Sequence, residues 1–133
     1  MARSVWELAT SAMASFDLSF MYGSGKGVKK DEKKQIFFLE EAAIGGHPEA
    51  RYKLGYHEWE SKRKDRAVKH WIIAAHLGHS RSIEILKVCY KGGLVTKEDF
   101  AAALRAQHAA VSAMKSPQRE MAKAAWENYI RSR

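Results

Sequence analysis

Apolar side chains along this chain recur at threes and fours rather than alternating, in successive blocks set apart by glycine-rich or polar breaks. In the first block Leu8, Ala9, Ala12, Met13, Phe16, Phe20 and Met21 keep that spacing, and Ser4 with Glu7 has capping-box separation. Together they predict a helix over residues 5 to about 22. Gly23, Gly25 and Gly27 follow, each able to take the positive φ that a sharp reversal needs. A second helix is expected over residues 31–44, opened by Asp31 and Glu32 at the positive end of its dipole and stopped by Gly45 and Gly46. Pro48 has no amide hydrogen to leave unpaired and suits the first turn of a helix over residues 48–60. Across the polar residues 61–64, another is expected over residues 65–77. Ser80 as N-cap starts a fifth, which ends near residue 91 before Gly92 and Gly93, and Thr96 with Asp99 starts a sixth over residues 97–114. Ser116 and Pro117 then predict a separate terminal helix to about residue 130, carrying Met121, Ala125, Trp126 and Tyr129. It would cover the apolar face left by the preceding helices.

The blocks resemble one another. Leu18, Leu54 and Leu86 begin a comparison in which Tyr22 and Gly25 correspond to Tyr90 and Gly93. Ala42 and Ala43 correspond to Ala74 and Ala75, with Ala109 and Ala110 closing the third copy, and Gly45, Gly46, His47 correspond to Leu77, Gly78, His79. This divides a single domain, residues 1–133, into units 14–49, 50–81 and 82–115, followed by the terminal helix of residues 116–133. The second unit is shorter because its loop lacks the Gly-x-Gly-Val of residues 25–28. Self-similarity at this period predicts stacked helical hairpins.

In order, Ala14, Leu18, Tyr22, Gly25, Gly27, Val28, Asp31, Lys34, Ala42, Ala43 and Gly46 resemble the Sel1-like repeat, a relative of the tetratricopeptide repeat. Ser19, Gln35 and the short second loop depart from that pattern. The resemblance covers residues 14 to about 115. It implies an all-α fold, a short right-handed α-solenoid of about three hairpins with a C-terminal capping helix. It also implies a non-catalytic scaffold or adaptor that binds another protein or a peptide on its concave helix face.

Composition sharpens this picture. The chain has 133 residues, enough for one domain with a continuous core. Two prolines, and alanine, leucine and lysine in place of β-branched runs, favour helices over sheets. The single cysteine, Cys89, excludes an internal disulfide framework and fits a reducing compartment. Arg3, Ser4, Glu7, Thr10 and Ser11 interrupt any signal-peptide core, and no stretch reaches membrane-spanning length. A soluble intracellular protein without membrane association is expected. Its formal charge of +8 attracts acidic partners.

Two rows of side chains stand on the leading helices of the units: Phe16, Tyr52 and Glu84, and Phe20, Tyr56 and Val88. The first row is expected to pack between units. Phe20 and Tyr56, with Trp59 one turn on, are expected to stand outside the core as anchors for a partner, with Asp17, Lys53 and Lys87 as polar neighbours on the same helices. Trp6, Met13 and Phe16 are expected to fold onto Phe37 and Phe38; left uncovered, they would form an apolar end suited to self-association.

The turns between paired helices are basic: Lys26, Lys29, Lys30, Lys33 and Lys34 in the first unit, Lys62, Arg63, Lys64, Arg66 and Lys69 in the second. A ridge of this kind can dock on a polyanion, although no base-reading motif accompanies it and nucleic acid is not the expected partner. Among the histidines only His76 and His79 are close, Gly78 lies between them, and no further ligand completes a metal set. His47 and His79 hold matching turn positions and are expected to share a structural role there, such as hydrogen bonding to exposed carbonyls. Cys89, at the apolar offset of Met21, is expected to be buried and inert. Gly23, Gly25 and Gly27 follow no strand, and Glu40 and Glu41 splay about 100° apart on a helix, so neither a phosphate loop nor a carboxylate pair is expected. The chain is read as no enzyme, with no cofactor. A further reading takes it as an engineered scaffold gripping a chosen target, since clustered Trp6, Met13, Phe16 and Phe20, with Ser19 in place of glycine, would suit a rewritten surface.

Overall fold

The computed structural model describes residues 5–132, with side chains for residues 11–113 and 115–132. Six helices follow one another: α1 (Val5–Ser24), α2 (Glu32–Ile44), α3 (Pro48–Glu60), α4 (Lys64–His76), α5 (Ser80–Lys91) and α6 (Lys97–Arg131). Among the described residues there is no strand. Each helix packs on the next in sequence, and α4 also packs on α6.

Local chemistry sets the helix ends. Asp31 Oδ1 accepts the Lys34 amide hydrogen at 3.2 Å, and Thr96 Oγ1 accepts that of Asp99 at 3.1 Å, so each cap satisfies a donor that the first turn leaves free. The corresponding pair at Ser4 and Glu7 lies outside the described side chains. At α3 and α5 the caps are histidines: Nδ1 of His47 accepts from the Ala50 amide, and Nδ1 of His79 from that of Ser82. Ser80 is therefore the first residue of α5 and not its cap. The shared role of the two histidines is confirmed, but they accept from helix N–H groups rather than donate to carbonyls.

The turns before these caps close alike. Gly46 and Gly78 take φ of 88° and 94°, and the next amide, of His47 or His79, donates back to the carbonyl of Ala42 or Ala74. That is a Schellman closure, and it needs a left-handed residue. The turn between α3 and α4 closes the same way, with Arg63 N–H on the Glu58 carbonyl, but Lys62 supplies the positive φ of 64°. In the first loop Gly25 and Gly27 have positive φ and Gly23 does not.

Two core clusters lie along the chain. Leu39, Ala42, Ala43, Ala50 and Leu54 form one, flanked by Phe16 and Ile36. Trp71, Ala67, Val68, Ala75, Leu86, Cys89, Val95 and Ala103 form the other. Gly55 shows how tightly α3 meets α4: a Cβ there would lie 2.3 Å from Trp71 Nε1. The indole occupies that space and donates to the Tyr52 carbonyl at 3.1 Å.

The separate capping helix of residues 116–133 is not what the structure shows. α6 runs through Pro117 without a break. Proline deletes one helical hydrogen bond and crowds the preceding turn, but the alanine-, lysine- and arginine-rich flanks are strong helix formers and carry the helix across it. Nor does this half cover the core, for Met121 is 73% and Trp126 61% exposed. No helix among the described residues is long and apolar enough to cross a membrane.

Candidate functional site

The α1 and α3 helices carry a surface on which aromatic rings alternate with cations. Phe16 is half-buried and stacks on His47, ring centres 4.2 Å apart and planes 15° from parallel. Lys53, on α3, places its Nζ 5.1 Å from the Phe16 ring centre and 5.7 Å from that of Phe20, and Lys26 Nζ lies 5.8 Å from the Phe20 ring centre. Cations at these distances are attracted by the electron-rich ring face. Phe20 keeps half its surface in solvent.

One turn on, Tyr52 donates its hydroxyl hydrogen to the Tyr56 oxygen at 3.1 Å, and the two rings meet edge to face. Burial, then this hydrogen bond, push the Tyr52 hydroxyl up to about 12, so it stays a neutral donor. Tyr56 leans edge-on against Trp71 and is 40% exposed. Arg81 lies over the other side of Tyr52, 5.1 Å from its ring centre.

A charged network fixes this end of the surface. Glu49 accepts from Arg81 Nη2 with both oxygens, at 2.7 and 2.9 Å, and from His79 Nε2 at 2.6 Å. His79 Nδ1 accepts the Ser82 amide hydrogen, so Nε2 is the ring nitrogen that donates to Glu49. Burial alone would raise the Glu49 carboxyl; the His79 hydrogen bond and the His79 and Arg81 charges outweigh it and hold it below the usual range. Burial lowers His47, keeping its ring in the neutral form that the α3 cap requires.

No family model, curated protein or solved structure matches this chain.

The structure sorts the sequence-predicted contacts. Phe20 and Tyr56 are exposed. Trp59 is not free of the core: it is half-buried against the second cluster, its ring centre 5.7 Å from that of Trp71, with Lys64 over its outer face at 5.2 Å. Asp17 and Lys53 lie beside the aromatic surface, and both face His47 electrostatically. Lys87 stands on another stripe, since counting from Leu86 it matches Ser19 and Gly55, and the counterpart of Asp17 and Lys53 is Ile85. At the N-terminal end Phe16 turns to His47 instead of Phe37 and Phe38, because Phe38 already stacks on Tyr22. Met13 is exposed, and Trp6 has its side chain outside the described residues.

Sequence reasoning missed Glu49 and Arg81. Glu49 and Arg81 each stand two residues after a turn histidine, His47 and His79, and that matching position was a usable signal once each histidine is seen as a cap. Cys89 is buried, which pushes its thiol up and leaves it unreactive. Among the described residues no three His, Cys, Asp or Glu side chains converge on one point.

Proposed function

We propose that this chain is a non-catalytic interaction module: a short right-handed α-solenoid of Sel1-like repeats that binds a protein segment across the aromatic and cationic surface of α1 and α3. The observation that carries the reading is Lys53 bridging Phe16 and Phe20 while Phe20 and Tyr56 remain exposed. Aromatic anchors of this kind contribute most of the affinity when a segment covers them, and their rigid neighbours keep the ordering cost low. Tyr56 and half-buried Trp59 share Trp71 as their support, and Asp17, Lys53 and Arg81 select the charge of the segment.

Peptides selected from a random display library on the wild-type chain test this directly. They lose at least tenfold in affinity on Phe20→Ala and on Tyr56→Ala, with helical content unchanged. Peptides that bind both variants as tightly as wild type remove the reading.

One observation favours a second reading. The turn from α1 to α2 opens on a hollow of about 450 Å³ lined by Lys29, Lys30 and Lys34, and the turn from α3 to α4 on one of about 530 Å³ lined by Lys62, Arg66 and Lys69. Matching basic hollows on successive hairpins suit a polyanion. Affinity for heparin that falls steeply with salt and survives Tyr56→Ala would favour it.

A further inference from the structure

On the side of α3 turned away from Tyr52 and Tyr56, a cleft of about 400 Å³ opens between α2, α3 and α4. Ala43, Ile44 and Leu54 form its apolar part, and Glu40, Arg51, Glu58, Arg66 and His70 its polar part. Two atoms of that polar set are buried without a hydrogen-bond partner: Arg51 Nε, a donor, and Glu58 Oε2, an acceptor. Arg51 Nη1 reaches His70 Nδ1 at 3.5 Å, and the nearest cation to Glu58 Oε2 is Arg63 at 3.7 Å, beyond hydrogen-bonding reach. Charged groups out of water and incompletely paired are costly, and a fold retains them where something else rewards them.

Comparison with the other hairpins shows that packing does not require these residues. Counted from Leu18, Leu54 and Leu86, the position of Glu58 is tyrosine in both neighbours, Tyr22 and Tyr90. Counted from the paired alanines, the position of His70 is Phe38. Tyr22 stacks on Phe38 at 5.7 Å, and Tyr90 stacks on Phe100 at 5.2 Å. The middle hairpin replaces the first hairpin's stacked aromatic pair by a carboxylate and an imidazole, and it adds Arg51 where the neighbours have Ser15 and Ile83. The exchange turns an apolar seam into a cleft that carries charges of both signs. Arg51 and Glu58 stand two turns apart, about 10 Å along the helix axis.

We infer that this cleft binds a short zwitterionic peptide, its carboxylate at Arg51, its ammonium at Glu58, and its aliphatic side chain on Ile44 and Leu54. Two residues in extended form separate the charged ends by about 7 Å, which suits that span once both side chains reach inward. A guanidinium takes a carboxylate through two parallel N–H groups, so the unpartnered Nε together with an Nη hydrogen forms the fork such a ligand needs. The site is separate from the aromatic surface, and its failure would leave that reading intact.

Glycyl-leucine, titrated into the ¹⁵N-labelled full chain, is the probe. The expected result is saturable movement of the amide signals of Ile44, Arg51, Glu58 and His70 with a Kd of about 1 mM or tighter, the range open to a ligand of this size. N-acetyl-glycyl-leucine and glycyl-leucinamide bind at least tenfold more weakly. Glu58→Gln, which removes one charge and preserves shape, weakens glycyl-leucine at least fivefold. Glu58→Tyr with His70→Phe, which copies the first hairpin, abolishes binding while the melting temperature holds or rises. The inference is overturned if glycyl-leucine moves no signals saturably, if the blocked forms bind equally, or if both variants bind as wild type does.

Discussion

The first and second hairpins solve the same packing problem with opposite choices. In α3–α4 the helices meet closely at Gly55 and Trp71; the corresponding positions of α1–α2 hold buried Ser19 and fully buried Leu39. The larger partner on one helix is matched by the loss of a side chain on the other, so the volume between them is conserved. At the far end of the pair the contrast reverses in chemistry: Tyr22 and Phe38 stack, whereas Glu58 and His70 line an open cleft. The comparison teaches that one backbone plan tolerates a change of residue size when both sides change together, and a change of polarity where solvent or a ligand can reach.

The sharpest way to break the comparison is Gly55→Ala. Its methyl group would sit 2.3 Å from the indole nitrogen, and displacing Trp71 should cost about 3 kcal/mol in urea unfolding. Ser19→Ala, at the matching place, should cost about 1 kcal/mol or less, because it only removes the hydroxyl bond to the Phe16 carbonyl. Equal losses at the two positions would show that the hairpins are packed alike after all.

Exchange of both partners sharpens it. Trp71→Leu alone leaves a cavity and should cost on the order of 3 kcal/mol. Combined with Gly55→Ser, which copies the first hairpin, the total should fall short of the sum of the single effects by about 1–2 kcal/mol. Strict additivity would refute the volume exchange.

A smaller effect separates the two units by pH. The His47 ring caps α3 and the His70 ring lies in the second hairpin's cleft, and burial holds both below the ordinary imidazole value of 6.5. The unfolded chain therefore binds more protons near that value, so stability is full above about pH 6.5 and declines as pH falls through the lowered native values. Glu49, also held below its ordinary 4.5, adds a further loss in more acidic solution. The urea midpoint should drop from pH 7.5 to 5.5, and His70→Phe should flatten part of that slope. A midpoint that rises on acidification would contradict the neutral caps.

The smallest expected change is at the turn where the hairpins differ in loop chemistry. Lys62 occupies a left-handed conformation that the equivalent closures give to glycine. Lys62→Gly should stabilise by about 0.5–1 kcal/mol, the relief of Cβ crowding exceeding the extra freedom of the unfolded glycine. Thermal unfolding reads the difference.

Much of this was legible in the residues. The helix boundaries of α2, α3 and α5 lie where glycines, Pro48 and apolar spacing place them, and Thr96 caps as its spacing indicates, whereas Asp31, expected as the charged first residue of α2, is its cap. The exposure of Phe20 and Tyr56 also follows from the row they occupy. Trp59 was misjudged because its burial depends on where Trp71 sits, and Trp71 depends in turn on the missing side chain of Gly55. The terminal helix was misjudged because the strong helix formers on both sides of Pro117 carry α6 across the proline.

The amino-acid order by itself determined the helices, their caps and the pairing of like positions, because those properties rest on contacts within a few residues of one another. How Trp59 packs on Trp71, how Glu49 joins His79 to Arg81, and how Arg51, Glu58 and His70 enclose a cleft were decided only by the tertiary structure. Each of those arrangements is made by side chains on different helices, and their meeting depends on packing distances that no local pattern encodes.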